Sequence, residues 1–159
     1  MKAFKYLPLV LCFAIVGTAS AQDKTKGFLD ELGYAYATLE SGAFKVVVSV
    51  EGVSTPMVAS EKAIWGRDDL DFMKVISVYT LVMNAPEGFN PPAAMYRKIV
   101  ELSDGMLHGR LSMYNGSIFF SSEQGYGNAT AQSMDTQLVL AHFMTQEYKK
   151  EFEPYLEEE

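Results

Sequence analysis

The chain has 159 residues, 48% of them hydrophobic, and its 20 acidic and 13 basic side chains give a formal net charge of −7. This length and composition predict one domain with a proper core. The negative charge disfavours contact with nucleic-acid phosphates and anionic lipid head groups, so we expect neither as a partner.

Residues 1–21 have the features of a secretory signal peptide. Two lysines precede an apolar run, Leu7–Val16, and Ala19-Ser20-Ala21 is an A-x-A cleavage site. The run is too short to span a bilayer, so we expect no membrane insertion of the mature chain. The sequence therefore predicts cleavage near Ala21, a single mature domain of residues 22–159, and a periplasmic or secreted location.

The only cysteine, Cys12, lies inside this leader. A lipoprotein signal at Cys12 is the alternative interpretation, and the large Leu11 before it makes the A-x-A site the better match. After cleavage near Ala21 the mature chain has no cysteine. It then forms no disulfide and no thiolate metal site.

The first half of the mature chain is predicted to form a short helix followed by strands. Gly27–Gly33 has the spacing of an amphipathic helix. Tyr34–Glu40 and Ala43–Val50 flank a Ser-Gly turn and predict a hairpin. Met57–Ile64, entered after a proline, has the pattern of an edge strand. Phe72–Met83 is apolar on both faces, which indicates a central strand.

The second half is predicted to form a helix, a hairpin and a long final helix. Asn90 as N-cap and Pro91 at the first position predict the helix start, and Gly105 its end. Asn115-Gly116 is a strong hairpin signal, and Ser133 is the expected N-cap of the last helix. The order α-β-β-β-α-β-β-α predicts a two-layer α+β fold, in which helices cover a mostly antiparallel sheet of about five strands.

Several of these features together resemble a known family. They are the helix Ala93–Asp104, the Gly109-Arg110-Leu111 strand start, the Asn115-Gly116 turn, Ser133 with Leu138, and the acidic helix end Glu151–Leu156. In this combination the chain resembles the bacterial YbjN family of proposed sensory-transduction regulators, whose fold is similar to that of type III secretion chaperones. The resemblance implies protein binding, with no enzyme activity. Its typical members are cytoplasmic, so the signal peptide is a departure.

The residues offer no catalytic or metal-binding constellation. His108 and His142 are the only histidines, and a zinc site would need carboxylates brought from elsewhere. A small hydrolase would need His108 beside a nucleophile and an acid, yet there is no G-x-S-x-G elbow. The acidic turn Asp68–Asp71 lacks calcium-loop spacing. We therefore expect a protein that is not an enzyme and that uses no cofactor.

Aromatic and methionine side chains near loops and edges favour an interaction surface. The first hypothesis is an exported, non-enzymatic protein-interaction domain that uses a sheet edge or an aromatic–methionine groove to bind a protein partner or to homodimerise. The expected partner-binding residues are Trp65, Met113, Tyr114 and Tyr126. The alternative is a carrier of a small apolar ligand in a cavity between sheet and helices, lined by Phe72, Tyr79 and Phe143.

Overall fold

The computed structural model describes residues 23–66 and 70–156. Its fold class is α+β, as predicted. The predicted signal peptide, Asp68 and Asp69 lie outside the described residues. The elements within them are α1 (Asp23–Leu32), β1 (Tyr36–Thr38), β2 (Phe44–Val50), β3 (Val53–Ala63), β4 (Lys74–Met83), α2 (Ala93–Asp104), β5 (Arg110–Tyr114), β6 (Ser117–Gly125) and α3 (Ala131–Phe152).

The strands form one antiparallel sheet in the order β1-β2-β3-β4-β6-β5. The described residues thus contain six strands, where the predicted order counts about five, and the predicted hairpin of Tyr34–Glu40 with Ala43–Val50 is present as the β1–β2 pair. β4 is central, as predicted. The expectation of an edge strand around Met57–Ile64 is wrong, because β3 lies between β2 and β4.

Pro56 explains how β3 can be internal despite containing a proline. A proline has no N–H to donate and is normally confined to edges or to the ends of ladders. The pairing of β3 with β4 runs from Met57 to Ala63, so Pro56 lies just beyond it. The hydroxyl of Thr80 in β4 donates to the Pro56 carbonyl at 3.0 Å. Pro56 therefore lies at the end of the β3–β4 pairing, whereas the β2–β3 pairing continues through it, with Val47 as its partner.

The core lies between one face of the sheet and the helices. Val46, Met57, Val78 and Phe120 occupy neighbouring strands on this face and are fully buried or nearly so. Each helix contributes at least one buried side chain to the same cluster, among them Leu29 of α1, Met95 of α2 and Leu138 of α3. The helices thus cover this face and leave the other face of the sheet open. No described helix combines the length and hydropathy needed to cross a membrane.

The β5–β6 hairpin turns as the sequence predicts. Asn115 and Gly116 both have positive φ, 49° and 77°. These values match a type I′ turn, whose twist suits the strands it joins. The start of α3 differs from expectation: Thr130 is the N-cap, and Ser133 is the third residue that bonds back to it in a capping box.

Candidate functional site

The open face of the sheet carries apolar side chains that the core does not use. Val47 of β2 is 48% exposed, Leu81 of β4 41% and Tyr114 of β5 71%. Strand faces turned away from a core are normally polar in an antiparallel sheet. An exposed apolar patch of this kind marks an interaction site in many soluble proteins.

Four apolar residues of this face form a row across the sheet, here termed the apolar stripe, namely Val47, Pro56, Leu81 and Phe119. Val47 pairs with Pro56, and Leu81 pairs with Phe119 of β6. The β3–β4 register, extended by one residue beyond the Met57–Thr80 pair, places Pro56 beside Leu81 and so joins the two pairs. Because neighbouring strands are about 4.8 Å apart, the stripe crosses roughly 14 Å of the sheet.

Beside the stripe is a shallow groove of about 400 Å³, here termed the serine groove. Serine side chains form its floor, and because they are small they leave the depression unfilled. Tyr79, Tyr114 and Phe119 form an aromatic wall, and Lys62, Arg110 and Glu123 form its charged end. The floor residues are Ser60, Ser77, Ser112 and Ser121. The groove thus combines aromatic, hydroxyl and charged groups.

The charged end is a network centred on one carboxylate oxygen. Oε1 of Glu123 contacts Nζ of Lys62 and lies 3.5 Å from Nη2 of Arg110. Nε of Arg110 also donates to Oγ of Ser121 at 3.4 Å. The Arg110 side chain remains 63% exposed and the Lys62 side chain 49% exposed. Both cations therefore keep accessible donors in the groove.

The open face has a charge opposite to that of the chain. Its strand positions hold three basic side chains, Lys45, Lys62 and Arg110, and one acidic side chain, Glu123, a formal balance of +2. The whole chain has a net charge of −7. The face is thus locally positive on an acidic protein.

The β5 edge of the sheet is partly covered by α2. The N–H of Leu111 points away from β6 and donates to Oγ of Ser103 at 3.2 Å. Side-chain capping of this kind and short edge strands both limit pairing with another chain. The open face is therefore better placed to bind a partner than this edge, and a sheet edge was one of the two kinds of surface expected from the sequence.

The predicted partner-binding residues do not form one surface. Tyr114 lies in the serine groove. Met113 is half-buried and packs on the core, on the opposite side of β5. Tyr126 follows the far end of β6, where the Lys24 ammonium lies 4.7 Å from its ring centre. The backbone of Trp65 forms a short 3-10 turn after β3, near that same end. Of the three whose side chains the structure describes, Tyr114 alone thus belongs to the groove.

The three side chains expected to line an apolar cavity lie on different surfaces. Phe72 is largely exposed in a short 3-10 turn. Tyr79 belongs to the open face, and Phe143 is on the outer side of α3. The structure does not bring them together around a shared interior space between sheet and helices.

The two histidines lie in different environments. His108 is exposed in the turn before β5. His142 is buried in α3, and its Nδ1 shares a 2.8 Å hydrogen bond with Oγ1 of Thr55. Nε2 of Gln146 donates to the same oxygen at 3.0 Å. This Thr–His–Gln network joins β3 to α3, and among described residues no group of three metal-ligating side chains clusters.

A second group of buried polar atoms lies at the start of α1. Oε1 of Glu61 accepts a hydrogen bond from the Thr25 N–H at 2.7 Å. Burial raises the pKa of the Glu61 carboxyl above its ordinary value. Oε2 of Glu61 and Oγ1 of Thr25 are buried without a hydrogen-bond partner among the described residues, as are single side-chain atoms of Gln124 and Gln137.

No family model matches this chain. Nor does any curated protein match it in sequence. The function is therefore inferred from the residues themselves and from the geometry of the open face.

Proposed function

We propose that this chain is an exported, non-enzymatic protein-interaction domain that binds a partner on the open face of its sheet. The observation that carries the proposal is the apolar stripe, Val47-Pro56-Leu81-Phe119, which lies on the side of the sheet away from the helices. Covering it removes apolar area from water, which is the main driving force of protein association.

The composition of the face favours a protein rather than a nucleic acid or a membrane. The centre of a protein interface is typically rich in aromatic and aliphatic side chains, with polar and charged groups at its rim. The stripe, Tyr79 and Tyr114 supply the first kind, and Lys62 and Arg110 supply the second. Nucleic-acid interfaces are much more positively charged than protein interfaces, whereas the formal balance of this face is only +2.

Two features of the sequence support the same proposal. The leader at residues 1–21 supports export with cleavage near Ala21. The resemblance to the YbjN family, and through it to secretion chaperones, favours binding over catalysis. An exported member would bind its partner outside the cytoplasm, in a regulatory or chaperone-like role.

The proposal is tested by removing apolar side chains from one surface at a time. The stripe variant is Val47→Ser with Leu81→Ser. The matched control is Val100→Ser with Phe143→Ser, which removes two exposed apolar side chains from α2 and α3 on the helix layer. Each protein is immobilised and exposed to periplasmic extract, and hydrogen exchange of the wild-type protein is measured with and without the retained protein.

We expect the stripe variant to lose the partner that the wild-type and control proteins retain, with exchange protection confined to the open face. Self-association that is lost only in the stripe variant, measured by sedimentation, would identify a homodimer through the same face. Retention that depends on the helix-layer residues instead would refute the proposal, as would a monomer that retains nothing.

A further inference from the structure

The charged end of the serine groove contains a carboxylate that is shared by two cations. One oxygen of Glu123 serves both Lys62 and Arg110, and the Arg110 contact is long at 3.5 Å. A guanidinium has five N–H donors and binds carboxylates best through two parallel hydrogen bonds. Within the described residues, Arg110 uses its donors only toward Glu123 and Ser121. The network thus holds more donor capacity than Glu123 uses.

We propose that Glu123 occupies the position of a partner's carboxylate, and that the open face binds an extended, acidic peptide segment. This inference rests on the proposed function, because it specifies the partner of the same face. The segment's carboxylate pairs with Arg110 and Lys62, either displacing Glu123 or joining it. A hydrocarbon side chain of the segment then covers the Leu81–Phe119 end of the apolar stripe.

The local charge favours an acidic segment over a basic one. The charged end has two cations and one anion among Lys62, Arg110 and Glu123. The rest of the chain is acidic, but charges separated by more than about 8 Å are largely screened at physiological ionic strength. Direct contact with Arg110 and Lys62 therefore outweighs the distant repulsion.

The spacing along β6 defines the segment further. Glu123 and Phe119 are four residues apart on the same side of this strand, which corresponds to roughly 13 Å at about 3.3 Å per residue. An extended peptide lying along β6 thus needs an acidic residue and an aliphatic or aromatic residue about four positions apart. The aliphatic members of the stripe favour a peptide over an acidic polysaccharide, whose sugar rings stack on aromatic faces.

The test uses synthetic peptides and the protein purified from cells that express the full chain. The main probe is acetyl-Ser-Glu-Ser-Thr-Ser-Leu-Ser-amide, which carries its Glu and Leu at the required spacing. One control peptide has Lys in place of Glu, and the other has Ser in place of Leu. Binding is followed by NMR chemical shifts up to millimolar peptide, with oligogalacturonate as a polysaccharide competitor.

We expect the Glu–Leu peptide to bind and to shift the amide signals of Arg110 and Ser121, and both control peptides to bind more weakly. Glu123→Gln removes the internal carboxylate at constant size and should raise the affinity roughly two- to fivefold, as expected for an exposed charge-assisted contact. Arg110→Gln should lower it by a similar factor. Lys45→Gln, a cation of the same face outside the groove, should change it less than twofold, a range that exposed charges often show.

The inference fails if the Lys peptide binds as well as the Glu peptide, if no peptide binds at millimolar concentration, or if Glu123→Gln leaves the affinity unchanged. Tighter binding of oligogalacturonate than of the peptide would also refute it. A stripe-dependent partner that competes with none of these peptides would leave the proposed function intact while refuting the acidic segment.

Discussion

Gly109 stands where the chain enters β5, and the structure leaves no space for a side chain there. Its φ is +111°, a value that L-residues rarely adopt. A Cβ atom at this position would lie 2.5 Å from Cζ of the buried Phe120 ring and 2.8 Å from the carbonyl oxygen of Ser121. The ring is fixed in the core, and the carbonyl belongs to the backbone of β6. Moving either the ring or the carbonyl to make room for a side chain would therefore destabilise the fold.

The magnitude for Gly109→Ala follows from two separate contributions. Holding a residue with a Cβ in this backbone region costs about 1–3 kcal/mol. Forcing a methyl group against the packed Phe120 ring adds about 1–3 kcal/mol. We therefore expect the free energy of unfolding to fall by about 2–6 kcal/mol, a large share of the 5–15 kcal/mol typical of a domain.

The measurement is urea denaturation of the wild-type and variant proteins, followed by circular dichroism. Gly125→Ala at the end of β6 is the matched control, because its φ is −62° and a Cβ there meets nothing within 4 Å. The control should stay within about 0.5 kcal/mol of wild type. A Gly109→Ala protein within about 1 kcal/mol of wild type would show that the close approach between Gly109 and Phe120 does not exist.

Three further predictions concern other parts of the fold. Gly116→Val should lower the free energy of unfolding by at least about 1 kcal/mol, because a β-branched residue is strained at φ +77°; an unchanged melting temperature would exclude the turn. The raised pKa of Glu61 means that the folded state keeps this proton to higher pH than the unfolded state, so wild-type stability falls as pH rises above 4.5 through the raised value. Glu61→Gln removes this loss. In urea titrations, the free energy of unfolding of the variant relative to that of wild type should therefore be higher at pH 7 than at pH 4, and the opposite order would contradict this prediction. His142→Ala should cost about 2 kcal/mol or more of unfolding free energy, because it leaves a cavity and breaks the bond to Thr55, whereas His108→Ala at an exposed turn should stay within about 0.5 kcal/mol; equal effects would contradict the different burial of the two histidines.

Hydrophobic periodicity and turn residues in the sequence predict most of the helices and strands. The starts of α2 and α3 differ from the predicted ones, because of two consecutive prolines in the first case and an unusual capping box in the second. Asn90 and Pro91 have the composition of a helix start, yet α2 begins at Ala93 with Pro92 as its N-cap in extended backbone. A residue before a proline is disfavoured in helical conformation, so Pro91 cannot begin the helix. At the start of α3 the capping box pairs the N-cap Thr130 with Ser133, whereas the usual capping box has Glu or Gln in the place of Ser133.

The open face was only partly predictable from the sequence. The apolar character of both sides of β4 indicates a central strand, and that prediction is confirmed. The same pattern suggests that both sides are covered, but Tyr79 and Leu81 point to the face without helices. Which face the helices cover is decided by the packing of α1, α2 and α3 on one core, and no local pattern in the strands records it.

The binding residues could be guessed by type but not by position. Tyr114 and Tyr126 are both tyrosines near strand ends, and they differ in sequence by only twelve positions. The hairpin places them at opposite ends of β6, and only Tyr114 lies in the serine groove. The charge network of Lys62, Arg110 and Glu123 joins three strands, and it becomes visible only once their register is known.

The strand order divides the sheet into two parts, each formed by consecutive strands, that meet where β4 pairs with β6. Each strand from β1 to β4 pairs with its neighbour in sequence, and so do β5 and β6, while β4 and β6 pair across the loop of residues 84–92 and α2. A break in that loop would divide the molecule into a four-stranded meander with α1 and a hairpin with α2 and α3. Since α3 packs on β2, β3 and β4, the first piece lacks the cover of its core and the second lacks the sheet it covers. The two pieces thus have the complementary surfaces of a split reporter, whose reassembly would signal that two proteins fused to them have met.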